Sequence, residues 1–215
     1  MAGVFASFCI DLDSDRIHVG AKGGFAEERA SMTTLLESKS LTAEEYGRLE
    51  NNGRLTELVR GRIVEVNRPF TSHGFYVYRM AMLLGQFVDQ HELGRIVAGD
   101  AGVVTEHDPD TVRGPDIAFY SYQRIPRGTL PQGYWPASPE LVIEIRSESD
   151  RWKDILQKVA EYLSANVLSV AVVDPQRQQV HLYSDKETTV LNATDPLTFP
   201  EVLPGFEVVV ARLFE

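Results

Sequence analysis

"SPELVIEIRSESDRWKDILQKVAEYL", residues 138–163, begins as a strand and becomes a helix, and "VLSVAVVD", residues 167–174, follows as another strand. Leu141, Val142, Ile143 and Ile145 leave almost no polar face, which predicts a strand covered on both sides. Trp152, Ile155, Leu156, Val159 and Leu163 recur at helical spacing and predict the stripe that the helix turns to the core. Glu144 breaks the apolar run. On a pleated strand it shares a face with Val142 and Arg146, opposite Leu141, Ile143 and Ile145. A carboxylate facing a packed helix is costly to bury alone, so it must be paired, reach water or bind a cation. A salt bridge to Arg146 or another basic residue would satisfy it as well as a metal would.

Upstream, "SLTAEEYGRLE" (40–50) predicts a short helix capped by Thr42, with Glu45 completing a capping box and Leu41 stapled against Tyr46. "RLTELVRGRIVEVN" (54–67) reads as a hairpin turning at Arg60-Gly61. "SHGFYVYRMAMLLGQFVDQHELG" (72–94) places Tyr76, Met80, Leu83, Leu84, Phe87 and Val88 at helical spacing and stops at glycine. "RIVAGDAGVVTE" and "VRGPDIAFYS" read as two strands flanking the turn "HDPD", and "QQVHLY", "TTVLN" and "FEVVVARLF" as further strands after the second apolar strand. The expected fold class is therefore α/β or α+β, a mixed central sheet flanked by helices.

Of the 215 residues, 24% are charged and 43% hydrophobic, ordinary for a globular chain with a single core. No apolar run is long enough to span a bilayer, and Cys9 is the only cysteine, so no internal disulfide or thiolate cage forms. A reducing cytoplasmic setting is the expectation. Residues 1–40 show no sustained period beyond a short strand around Ile17–Val19 and read as an extension, with the domain at 41–215. The net charge of −10 argues against a general nucleic-acid coat protein. It leaves room for a nuclease, because a metal site collects carboxylates and the metal supplies the positive charge.

"RGPDIAF" (113–119) holds a second acid in an apolar strand, Asp116. It could merely shape a turn after Pro115. Beside Glu144 on a neighbouring strand it would face a like charge, and the two repel unless a proton or a cation sits between them. Oxygen donors of this kind suit Mg²⁺, which keeps several waters and leaves room for a phosphate oxygen. Along the helix, Asp154, Lys158 and Tyr162 follow one another at i, i+4 on one flank. Lys158 could simply pair with Asp154, or snorkel across to Glu144. Asp, Glu and Lys together are the equipment of phosphodiester hydrolysis.

The pieces "LTELVRGRIVEV", "SHG", "RGPDIAF", "PELVIEIRSESD", "KDILQKVAEYL", "VAVVDP" and "LPGFEVVVARLF" occur in this order from about Leu41 to Phe214. In that order the chain resembles the Uma-two family of restriction-endonuclease-like proteins, within the PD-(D/E)XK nuclease superfamily. The resemblance implies a restriction-endonuclease-like fold and a metal-dependent endonuclease acting on DNA, with Mg²⁺ or Mn²⁺ as cofactor. It implies Asp116 and Glu144 as metal ligands, the backbone carbonyl of Ile145 as a further ligand, Glu57 as an additional carboxylate near the metal, and Lys158 as the lysine moved from strand to helix. Pairing into homodimers is open to folds of this class. The chain departs from the family at Arg146, which could clamp a phosphate or could pair with Glu144 and fill the metal's place, and at Glu148, where a proline is usual. Two rivals follow: a nuclease-fold module that binds nucleic acid or protein without turnover, and a metal-free glycosidase built on paired carboxylates. His73 matches a family position too, and a lone histidine there reads as a packed residue.

Overall fold

Leu141, Val142, Ile143 and Ile145 are buried because their strand is interior to a six-stranded sheet. A computed structural model describes residues 40–50, 53–128 and 130–215 of the chain. The strand around Ile17–Val19, Cys9 and most of the expected 1–40 extension lie outside the described residues. The central sheet runs in the order β10 (Thr188–Leu191), β9 (Gln179–Tyr183), β8 (Ser169–Asp174), β7 (Leu141–Ile145), β6 (Ile117–Ser121), β3 (Gly94–Ala98). The β7–β8 pair is parallel and every other pair is antiparallel, so the sheet is mixed as the sequence predicts.

Two helices cover its faces. Helix α2 (Thr71–Gln90) lays Met80, Leu84 and Val88 against Ile117, Phe119, Leu141, Ile143 and Ile145. Helix α3 (Trp152–Ser164) lays Ile155, Val159 and Tyr162 against Val142, Val170 and Val172 on the other face. The odd–even division of β7 is the alternation of a pleated strand, so Glu144 faces α3. The stripe of α3 is not quite the expected one. Leu156 is 44% exposed, and fully buried Tyr162 takes the inner edge at i+7 from Ile155, where its hydroxyl has a polar partner.

The expected strands on either side of "HDPD" are each divided between two sheets. β3 and β6 belong to the central sheet, whereas β4 (Val103–Glu106) and β5 (Thr111–Arg113) join β1 (Thr56–Val59) and β2 (Arg62–Glu65) in a second sheet, ordered β2-β1-β5-β4. The chain crosses from one sheet to the other at Gly99–Gly102 and again at Gly114–Asp116. The crossings touch, with Gly99 N–H donating to the carbonyl of Asp116 at 3.2 Å. Arg60 and Gly61 both have positive φ, 49° and 72°, the backbone of a tight hairpin turn. Helix α1 (Ala43–Gly47) carries the predicted capping box between Thr42 and Glu45.

The C-terminal run also differs from expectation. β12 (Leu203–Val209) pairs with an unforeseen strand, β11 (Pro196–Phe199), and Val210–Leu213 forms a 3₁₀ turn rather than more strand. That turn brings Val210 and Leu213, three residues apart, into the core beneath α2.

Gly94 shows how closely the edge of the central sheet is built. A Cβ there would press into the carbonyl oxygen of Tyr120 and come within 2.8 Å of the Cα of Ser121. Gly94→Ala is expected to lose about 1–3 kcal/mol in urea unfolding, because backbone cannot yield as a side-chain end can.

Candidate active site at the junction of the two sheets

The crossing at Gly114–Asp116 ends the β6–β7 ladder, and the polar groups released there build the site. Ile117 is paired with Ile143 and Ala118 with Val142, so two residues further on Pro115 stands opposite Ile145 and Asp116 opposite Glu144. Proline has no N–H to give. Asp116 itself satisfies the strand at this point, its Oδ2 accepting from the N–H of Ile145 at 2.6 Å. The N–H and C=O of one extended residue point to the same side. The carbonyl of Ile145 therefore turns toward the Asp116 side, where Pro115 offers no donor, while Arg146 N–H bonds to Val173 on β8.

Helices reach this point from both faces. From α2, His73 brings Nε2 to 2.8 Å from Asp116 Oδ1. Burial alone would lower the pKa of His73, but the hydrogen bond and charge of Asp116 outweigh it and raise it. From α3, Tyr162 donates its O–H to Glu144 Oε1 at 2.8 Å, and Lys158 Nζ lies 3.8 Å from the same oxygen. Asp116, Glu144, Ile145, Lys158, Glu57, His73 and Asp100 all line one cavity of about 720 Å³. The residues singled out from the sequence thus share one hollow.

Glu57 takes a different place from the other two acids. Its Oε1 lies 2.8 Å from Lys158 Nζ and accepts from Gly114 N–H at 3.2 Å, and its Oε2 accepts from Arg113 at 2.7 Å. Arg146 does not pair with Glu144 and does not line the cavity. It lies 3.4 Å from Asp174 at the end of β8, with its guanidinium 5.4 Å from the ring centre of Trp152. Asp154 is held by Arg151 at 2.8 Å, so Lys158 is left for the site.

The donor set suits a small hard cation. Burial, above all, pushes the Glu144 carboxyl up to about 8; Lys158 pulls it down, and the charges of Asp116 and Glu57 push it further up. Asp100 is likewise raised, first by burial and then by Asp116. A bound cation would relieve this crowding of negative charge. Among the described residues no three His, Cys, Asp or Glu side chains stand close enough to hold a metal by themselves. A cation here would draw on two carboxylates, the Ile145 carbonyl and water, a mixture Mg²⁺ commonly accepts.

Tyr162→Phe removes only the hydroxyl that satisfies Glu144 in a buried setting. It is expected to lower stability by about 1–3 kcal/mol in chemical denaturation, since Glu144 is left without its shortest donor.

His73, Asp100 and Arg113 are the residues sequence reasoning passed over. His73 looked like an ordinary packed histidine, and Asp100 and Arg113 fell outside or inside no motif of their own, within the two stretches read as strands on either side of "HDPD". For His73 the available signal was its place in "SHG", one of the pieces that carry the resemblance.

A family model described as "Putative restriction endonuclease" (Uma2) matches residues 43–211. No curated protein matches the chain. A crystal structure from Anabaena variabilis, described as "a putative nuclease belonging to DUF820", is similar at 20% identity, covering 81% of this chain and 97% of that one with a TM-score of 0.72. At that identity the likeness is one of fold. Among the described residues no helix is long and apolar enough to cross a membrane.

Proposed function

The chain belongs to the Uma2 family, and from that premise we propose that it is an endonuclease that hydrolyses phosphodiester bonds of DNA with Mg²⁺ or Mn²⁺. One observation carries the reading: Asp116, Glu144, Ile145 and Lys158, up to 42 positions apart in the chain, line the same cavity. Asp116, Glu144 and the carbonyl of Ile145 are the groups that would hold the metal. When bound, a divalent cation supplies positive charge against the phosphate and lowers the pKa of a nearby water.

The chain's own groups do the rest by holding still. Asp116 is fixed at both oxygens, by His73 at 2.8 Å and by the N–H of Ile145 at 2.6 Å. Glu144 is fixed at Oε1 by the Tyr162 hydroxyl. Lys158 has three donors and uses few of them, so it can offer N–H to a phosphate oxygen and offset the charge that grows there in the transition state. Phosphoryl transfer asks little more of a protein than such positioning and charge.

The test is incubation of a plasmid and a labelled DNA duplex with the protein and Mg²⁺ or Mn²⁺. Cleavage is expected with metal and is expected to stop in excess chelator. Cleavage that continues in the chelator removes the metal from the proposal, and no cleavage with either metal removes the enzyme.

A further inference from the structure

We propose that Glu57 is the anchor of Lys158, a positioning residue and not a metal ligand. Lys158 Nζ is 2.8 Å from Glu57 Oε1 but 3.8 Å from Glu144 Oε1, so its strong bond runs to the hairpin strand β1. Glu57 is itself gripped. Arg113 holds Oε2 at 2.7 Å and the N–H of Gly114 reaches Oε1 at 3.2 Å. Arg113 is in turn clamped by Glu161 at 2.5 and 2.9 Å, and Glu161 lies one turn beyond Lys158 on α3. The result is a closed ring: α3 supplies Lys158 and Glu161, β1 supplies Glu57, and β5 supplies Arg113.

Two features separate an anchor from a ligand. A metal at Glu57 would have to displace Lys158 or Arg113, and it would enter beside two cations that already neutralise the carboxylate. Burial disfavours the Glu57 charge, yet Lys158 and Arg113 together hold its pKa below the usual carboxylate value. Lysine carries its charge on a flexible four-carbon stem and needs a fixed partner to stay in one place. A buried carboxylate locked by a guanidinium and a backbone N–H is such a partner.

The inference rests on the nuclease reading only for its kinetic readout. Glu57→Gln would be compared with wild type in three measurements: Mn²⁺ binding by calorimetry, acylation of Lys158 followed by peptide mapping among the chain's five lysines, and oligonucleotide cleavage. The anchor predicts an unchanged Mn²⁺ Kd and markedly faster acylation of Lys158. It also predicts a kcat about 10–100-fold lower at unchanged KM, the size usual for lost outer-shell support. A ligand would instead weaken Mn²⁺ binding about tenfold or more, as Glu144→Gln is expected to do, and that result overturns the assignment. Unchanged acylation of Lys158 overturns it equally. If Glu57→Gln does not fold, Glu57→Asp keeps the negative charge in the ring while drawing the carboxylate back toward β1 and away from Lys158, and the same acylation and Mn²⁺ results decide. A wild-type protein that cleaves nothing would sink the nuclease reading, while acylation and Mn²⁺ binding still decide the role of Glu57.

Discussion

If the proposed nuclease reading holds, Asp116→Asn is expected to lower DNA cleavage by about 10³-fold or more, because losing the proposed metal ligand would forfeit several kcal/mol of transition-state stabilisation. The amide keeps the shape of the carboxylate. Its oxygen can still accept from the N–H of Ile145, and its amino group can donate to Nε2 of His73. What it loses is the charge, so the melting temperature should move little while the rate collapses. Asp116→Ala is the harsher version. It also strands the buried Ile145 N–H, which adds about 1–3 kcal/mol of instability and confuses the reading. Single-turnover cleavage at saturating Mg²⁺, with a melting curve for each protein, checks the claim. Equal rates for wild type and Asp116→Asn would remove Asp116 from the chemistry.

Arg113→Ala has the largest expected effect on stability, a loss of about 3–5 kcal/mol, the usual result of removing one partner from a buried ion pair. The Arg113 side chain is 8% exposed and Glu57 is 5% exposed, so water cannot take over the missing bonds. Lys158 remains beside Glu57 and Gln157 still donates to Glu161 Oε1, but Glu57 Oε2 and Glu161 Oε2 lose their bonds from Arg113. The effect depends on pH in a defined sense. The pKa of Glu57 is lower in the folded protein than its ordinary value, so its contribution is present above the unfolded-state value and is lost as pH falls through the folded one. The gap between wild type and Arg113→Ala should therefore be full at neutral pH and narrow below about pH 4. Urea unfolding at both pH values measures it, and a gap under 1 kcal/mol at neutral pH, on the order of an exposed pair, would contradict it.

The elements that could be read directly share one property: their pattern is local. Helices α2 and α3 declare themselves by apolar residues at helical spacing, β7 and β8 by short apolar runs, and the β1–β2 hairpin by Arg60-Gly61. Asp116 and Glu144 stood out because acids are out of place in apolar strands, and Lys158 because it lies on the flank of a core stripe. Where the pattern misled, the cause was partner choice. Arg146 shares a face with Glu144, yet it sits just beyond the strand end, where Asp174 of the neighbouring β8 is available and fully buried. "RIVAGDAGVVTE" and "VRGPDIAFYS" each read as a single strand, but residues 99–102 and 114–116 within them are passages between sheets, because pairing beyond them is decided by distant partners.

From the residues alone came the class of fold, its main strands and helices, and the three side chains on which the chemistry is proposed to rest, since spacing and misplaced charge are properties of short segments. The tertiary structure alone decided that Arg113 grips Glu57 across 56 positions, that His73 meets Asp116 across 43, and that Arg146 turns away from the cavity. A charge close to many others in the folded protein binds the one whose geometry and burial fit best, and that contest is settled only once strands from different sheets lie side by side.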